Sequence, residues 1–277
     1  MEINEKKIIK LYENGYSCRK IAKIYNSYVL KISKILKNNN IKVKTNGESL
    51  RKYITFEDYF DILDDQNKFY ILGFLYADGY NDEKKRIVRL GLKDSDKKIL
   101  EKIRNLICPN KPLRFYKQQN NIIKNKIHKI SNIAVFAIDN SKISKKLAEL
   151  GVVQRKSYIL KYPDFIPEEY ERHFIRGYFD GDGSASIQTK TNKNKTKILQ
   201  ISFCGTKDFL ITLKIKLNKY LNFKITDTYY KRFDTINCCY CIYYGGRFQM
   251  LKFSDWLYKD SNLYLERKKN KFDMLKN

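Results

Sequence analysis

Histidine is almost missing from this chain: His128 and His173 are the only two in 277 residues. A metal centre built on imidazole therefore has nearly nothing to use. No apolar run reaches the ~18 residues that cross a bilayer, so no transmembrane helix and no membrane partner are expected. The first residues, Met1-Glu2-Ile3-Asn4, do not resemble a secretory signal. No Gly-rich phosphate loop of the Walker type occurs, which argues against ATP dependence. Cysteine is sparse, with six in all. Cys238 and Cys241 have C-x-x-C spacing, but no second pair lies near. On a strand over 237–244 the two would face opposite sides, which disfavours zinc. Buried thiols in a reducing, intracellular compartment are the better expectation.

Acidic residues are also short: 30 Asp and Glu stand against 56 Lys and Arg, for a net charge of +26. The basic residues run along the whole chain. That spread suits an extended basic surface tracking a polyanion, with nucleic acid ahead of an anionic membrane. With 43% hydrophobic and 14% aromatic residues the chain can still bury a substantial core.

One short pattern occurs twice. The first copy reads Ile71-Leu72-Gly73-Phe74-Leu75-Tyr76-Ala77-Asp78-Gly79. The second reads Ile175-Arg176-Gly177-Tyr178-Phe179-Asp180-Gly181-Asp182-Gly183. Each is an apolar run stopped by Gly, which predicts a helix and its C-terminal end. Free carbonyls make that end negative, so an Asp there costs up to about 1 kcal/mol unless a positive group offsets it. Asp78 and Asp182 break the same rule in the same way, and a hard divalent cation such as Mg²⁺ is the obvious compensator. A single copy reads as a buried helix ended by an Asp-Gly turn; the duplication sets the cation site ahead. Gly73 and Gly177 lack a Cβ, so the two helices could approach closely and bring both carboxylates to one place.

Residues 1–45 form a separate block. Ile8, Ile9 and Tyr12 mark a first helix ended near Gly15. Ser17 is the expected N-cap of a second, with Ile21, Ala22 and Tyr25 inward. Val29, Ile32, Ile35 and Leu36 give a third. The segment 15–40 resembles a helix-turn-helix, whose last helix enters the major groove. Tyr28, Lys31, Lys34, Lys37 and Asn38 would lie on its outer face. An ordinary three-helix packing unit has the same pattern; the charge favours DNA binding.

Residues 46–56 read as a linker, and two halves of similar order follow, 57–160 and 161–277. In the first, a strand is expected at 86–92, a helix at 95–107, strands at 113–119 and 127–138, and a helix at 142–150. In the second, strands are expected at 185–190 and 197–204, a helix at 206–221, strands at 223–230 and 236–244, and a helix at 247–257. Residues 190–197 read as a mobile hairpin tip. Each half closes with a basic pair, Arg155-Lys156 and Arg267-Lys268.

These features resemble the LAGLIDADG homing endonucleases, in particular the single-chain branch with two motifs, over about residues 57–277. The resemblance implies an α+β fold of two pseudo-symmetric αββαββα halves. Their antiparallel sheets form a saddle on DNA, and the N-terminal block is an appended all-α arm. It implies a monomer that cuts both strands of a long double-stranded DNA site, leaving short 3′ overhangs. Mg²⁺, or Mn²⁺ in its place, would be held by Asp78 and Asp182, with Gly79 and Gly183 beside them. Lys156 and Lys268 would stabilise phosphate charge, with plain backbone binding or surface charge as the alternative. Arg86, Arg89, Arg114, Lys117, Gln119, Gln188, Lys190, Lys231 and Arg232 are candidate base readers; for any one of them a phosphate contact or plain solvation is the alternative. Tyr76 stands where the second motif has Asp180. Two positions before the final Asp, neither shares its role, and Asp180 is expected to make a structural hydrogen bond. The chain starts with Met and lacks the His expected before an intein's terminal Asn, so a free-standing or intron-encoded protein is expected. A non-cleaving transcriptional regulator on the same fold, and an intron maturase that binds RNA, stay open as alternatives.

Overall fold

In the computed structural model, the described residues are 4–43, 53–118, 121–123, 126–128, 131–189, 197–223, 230–231 and 239–275. They form two compact units, divided between Ile54 and Thr55.

The first unit holds three helices, α1 (Glu5–Glu13), α2 (Cys18–Ile24) and α3 (Val29–Asn38). Asn4 caps α1, accepting from the Lys7 amide at 3.1 Å, and Ser17 caps α2, accepting from the Lys20 amide at 3.2 Å. Ile8, Ile21, Ala22, Ile32, Ile35 and Leu36 make a small core. Val29, expected inward, is the first residue of α3 and is exposed. One turn further on, Ile32 and Leu36 carry the apolar face, and the helix start lies outside it.

The second unit repeats one topology. Its first half runs α4 (Gln66–Asp78), β1 (Gly79–Asp82), β2 (Ile87–Lys93), α5 (Lys97–Ile107), β3 (Arg114–Tyr116), a small hairpin β4 (Asn121–Ile123) and β5 (Lys126–His128), β6 (Ile133–Asp139) and α6 (Ser141–Glu149). The other half runs α7 (Glu171–Asp182), β7 (Gly183–Thr189), β8 (Lys197–Gly205), α8 (Lys207–Leu221), β9 (Tyr230–Lys231), β10 (Tyr240–Gly245), α9 (Arg247–Tyr258) and α10 (Glu266–Asp273). The sheets are antiparallel, with orders β1-β2-β6-β3 and β7-β8-β10-β9, so both follow first, second, fourth, third. This is the α+β architecture expected of the two halves.

Three differences from the expected elements have local causes. Strand β1 was not expected: Gly-Tyr-Asn-Asp has weak strand propensity, and pairing with β2 holds it extended. Arg86, expected to open a strand, lies in the β1–β2 turn with φ +57°, and its carbonyl accepts from the Asn140 amide at 2.9 Å. Helix α10, Glu-Arg-Lys-Lys-Asn-Lys-Phe-Asp, shows no apolar stripe in sequence, because the face it buries consists of Lys268 and Phe272. The tip at 190–196 lies outside the described residues, as does Cys238.

Alternation on β2 sets the layers. Val88, Leu90 and Leu92 are buried under the helices, whereas Arg89, Gly91 and Lys93 are exposed on the opposite face. Asn81 ties the layers together: its amide donates to the Ser144 and Val152 carbonyls at 2.9 and 2.8 Å, and the Ser144 hydroxyl donates back at 2.6 Å.

Candidate active site

Helices α4 and α7 form the seam of the second unit. Asp65 starts α4, its carboxylate accepting from the Asn67 and Lys68 amides. Phe69, Tyr70, Ile71, Leu72, Phe74 and Leu75 are all buried, so the helix is apolar on every side, as one covered by two halves must be. The two helices touch backbone to backbone. A Cβ at Gly73 would lie 2.0 Å from the Phe174 carbonyl oxygen; one at Gly177 would lie 1.9 Å from that of Tyr70. The two glycines thus do the same job in each half.

Beyond this contact the helices end side by side. A Cβ at Gly181 would lie 2.2 Å from the Ala77 Cβ and 3.3 Å from Asp78 Oδ2. The first carboxylate therefore sits against the end of the opposite helix, beside Asp182. Gly79 and Gly183 take extended backbones, φ −72° and −86°, not the left-handed turn usual at helix ends. The chain passes straight from each helix into β1 or β7. Each carboxylate is thereby fixed where a helix ends and the first strand of a sheet begins.

The positive groups at these ends come from the protein. Lys268 is 3% exposed, and its ammonium donates to the carbonyls of Phe179, Asp180 and Gly183 at 2.5, 2.7 and 2.6 Å, with Gly181 at 3.4 Å. Lys156 is also buried and donates to the Gly79 carbonyl. Sequence reasoning aimed both lysines at phosphate; the structure turns them into the helix C-termini, where partial negative charge concentrates. The Gly79 and Gly183 carbonyls, expected at the metal, instead accept from ammonium groups that would repel a cation.

The four charged side chains form one electrostatic cluster. Desolvation at the helix seam raises the Asp78 carboxyl above its ordinary value although the residue keeps contact with solvent, against the pull of Lys268, Lys156 and Arg267. Burial lowers the Lys156 ammonium, which Asp182 and then Asp78 push back up. Burial also brings Lys268 down to about 8, opposed by Asp180, Asp78 and Asp182 while Arg267 adds to the drop. Each lysine senses both carboxylates, so the two motifs converge.

A stability signature follows. In the unfolded chain Lys268 titrates near 10.5, and in the folded protein at about 8. Between those values the unfolded state holds more protons, so stability rises with pH across that window. The difference in unfolding free energy between wild type and Lys268→Met should shift in favour of wild type, by up to about 1.4 kcal/mol per pH unit. Urea melts from pH 7 to 10 measure it; a pH-independent difference would contradict the assignment.

The motif positions two before the final Asp differ in chemistry but not in purpose. Asp180 is fully buried and accepts from the Tyr70 hydroxyl and the Leu265 amide, both at 2.8 Å. Tyr76 donates to the Leu150 carbonyl at 2.5 Å and packs edge-on against Phe174 at 5.1 Å. Each ties its helix to the segment that delivers Arg267-Lys268 or Arg155-Lys156. Asp180 thus makes the structural hydrogen bonds expected of it.

The candidate base readers divide by position. Arg89 lies on the open face of β2, its guanidinium 5.9 Å from the Tyr80 ring centre across the strand pair. Arg114 is exposed on β3, Lys117 is exposed just after it, and Gln188 is exposed on β7. Arg86 is in a turn. Gln119, Lys190 and Arg232 lie outside the described residues, as does the side chain of Lys231. Tyr28, Lys31, Lys34, Lys37 and Asn38 are all exposed on or beside α3 in the first unit. Sequence reasoning missed Lys93, Tyr116 and Gln200. Register places Lys93 and Tyr116 level through Ile133, and Gln200 opposite Ser186. The period-2 spacing of Arg89 and Lys93 was the available signal.

Among the described residues no group of three or more His, Cys, Asp or Glu is placed to hold a metal. The donor set at the seam is two carboxylates. That is too few for a structural zinc site, but it fits Mg²⁺, which keeps waters and takes its remaining ligands from phosphate oxygens.

No protein-family model matches the sequence, and no curated protein matches it. Solved structures do resemble the fold. The LAGLIDADG homing endonuclease I-GzeII in complex with its DNA target superposes with a TM-score of 0.49 at 14% identity, covering 75% of this chain and 88% of that one. For the LAGLIDADG homing endonuclease I-LtrWI bound to target DNA the values are 0.46, 14%, 79% and 91%. For I-SmaMI bound to uncleaved DNA in the presence of calcium ions they are 0.46, 13%, 77% and 90%. At these identities and scores the likeness decides nothing about activity.

Proposed function

We propose that this chain is a site-specific DNA endonuclease whose cleavage depends on a divalent metal. The observation that carries the reading is the convergence of Asp78 and Asp182 at paired helix ends, each where a sheet's first strand begins. Two carboxylates held there beside a basic surface suit a scissile phosphate. Asp78 and Asp182 would hold Mg²⁺, which when bound acidifies the attacking water and stabilises the leaving oxygen. Lys156 and Lys268 neutralise the helix ends and set the charge of the carboxylate pair. The open sheet faces bind the duplex, and the first unit, with its exposed Lys31, Lys34 and Lys37, adds a second basic contact.

The rival is a DNA-binding protein that does not cut, favoured by one observation: lysines already offset the two carboxylates. Incubation with duplexes carrying a selected site separates the two. Mg²⁺-dependent double-strand breaks with short 3′ overhangs support the endonuclease; tight binding without breaks supports the rival. In either case affinity should fall with salt, by about 0.9 log units per log unit of salt for each phosphate neutralised. A flat salt response would argue against nucleic acid as the partner.

A further inference from the structure

The two open sheet faces have the same topology but different chemistry. On the first, pairing registers align Tyr80, Arg89 and Ala137 in one row, Gly91, Val135 and Arg114 in the next, and Lys93, Ile133 and Tyr116 in a third. Guanidinium and ammonium groups thus lie in these three rows, and the row on the other side of Tyr80 holds Asp82, Ile87 and Asp139. On the second, the rows are Ser184, Ser202 and Tyr243, then Ser186, Gln200 and Gly245, then Gln188 and Ile198. Strand β7 and strand β10 contain no charged residue at all, and β8 has only Lys197 at its start. Among the described rows, the first face offers cations and the second offers hydroxyls and amides.

The difference is one of recognition as well as charge. Arginine donates two parallel N–H groups, which match the two acceptors on the major-groove edge of guanine. Glutamine donates and accepts, which matches adenine. Both kinds of side chain are steadied here. Arg89 lies over the Tyr80 ring, and the Tyr80 hydroxyl donates to Asp82 at 3.0 Å. The Gln188 amide donates to the Ser186 hydroxyl at 3.2 Å, next to Gln200 across the pair.

Accepting the DNA-binding reading above, we propose that the target is asymmetric in base type: Arg89 and Arg114 select guanine in one half-site, and Gln188 and Gln200 select adenine in the other. Arg89 and Arg114 are two residues apart along the sheet and two strands apart across it. That separation is about 12 Å, so the two guanines are about three or four base pairs apart. The glutamines are one strand and two residues apart, about 8 Å, and address positions about two or three base pairs apart.

The test is selection of bound duplexes from a random library in metal-free buffer, with the full chain and with Arg89→Gln and Gln188→Arg. Both positions are exposed, and a circular dichroism spectrum checks that the variants stay folded. The expected wild-type consensus has guanine in one half and adenine in the other. Arg89→Gln should lower the preference for one guanine by about 5- to 150-fold and leave the opposite half unchanged. Gln188→Arg should change only the adenine half. Equal base preferences in both halves, or variants that weaken binding to every sequence alike, would overturn the assignment while leaving DNA binding intact. A wild-type chain that enriches no duplex would remove the DNA-binding reading and this inference with it.

Discussion

Asp78→Asn and Asp182→Asn should each cut the rate of metal-dependent DNA cleavage by at least about 100-fold while duplex affinity stays within a few fold of wild type. Even groups that touch only a metal's ligands cost about 10- to 100-fold when removed, and these carboxylates are assigned as the ligands themselves. Asn keeps the shape and a carbonyl oxygen but loses the charge. It also removes acid from a surface that must approach phosphate, so binding has no reason to weaken. Single-turnover cleavage rates, alongside gel-shift affinities, measure both effects. Full activity in either Asn variant would remove that carboxylate from the mechanism. Equal loss of binding and cutting would point to misfolding instead.

Gly177→Ala should destabilise the second unit by about 3 kcal/mol or more, at the severe end of what overpacking costs. The new methyl would lie 1.9 Å from the Tyr70 carbonyl oxygen and 2.8 Å from the Phe74 amide nitrogen. Both belong to the backbone of the opposite helix, which cannot rotate away as a side chain could. Gly73→Ala meets the same obstacle at Phe174. Gly245→Ala is the control, since its methyl would lie no closer than 3.6 Å to any neighbour. It should change stability by under about 1 kcal/mol. Urea denaturation distinguishes the cases. Because the carboxylates lie just beyond the crossing, any molecules that fold with the helices forced apart should also cleave more slowly. Wild-type stability in Gly177→Ala would mean that the helices do not meet at this contact.

Much of the site was readable because it is duplicated. Two apolar segments with the same Gly and Asp spacing imply two equivalent helices, and a small residue on each implies a close crossing. The positions two before the final Asp were readable too: helix geometry alone separated Asp180 and Tyr76 from it, and Asp180 does form a buried hydrogen-bond pair. The lysines were found in sequence, but the helix-end carbonyls they meet were not. Nothing in Arg155-Lys156 or Arg267-Lys268 says which way an ammonium turns. That depends on where unsatisfied carbonyls lie, and these belong to helices 77 to 89 residues away in the chain. Helix α10 escaped notice for a related reason: its buried face is a lysine aimed at another helix's end.

By itself the sequence determined the chemistry available: a basic chain almost without histidine, two carboxylates at apolar helix ends, and glycines that let those helices touch. These follow from residue type and spacing, which are local. Only the tertiary structure decided that lysines neutralise both helix ends, and that arginines lie on the open face of one sheet while serines and glutamines lie on that of the other. Strand register and the direction of a long side chain are set by distant partners, so no local pattern contains them.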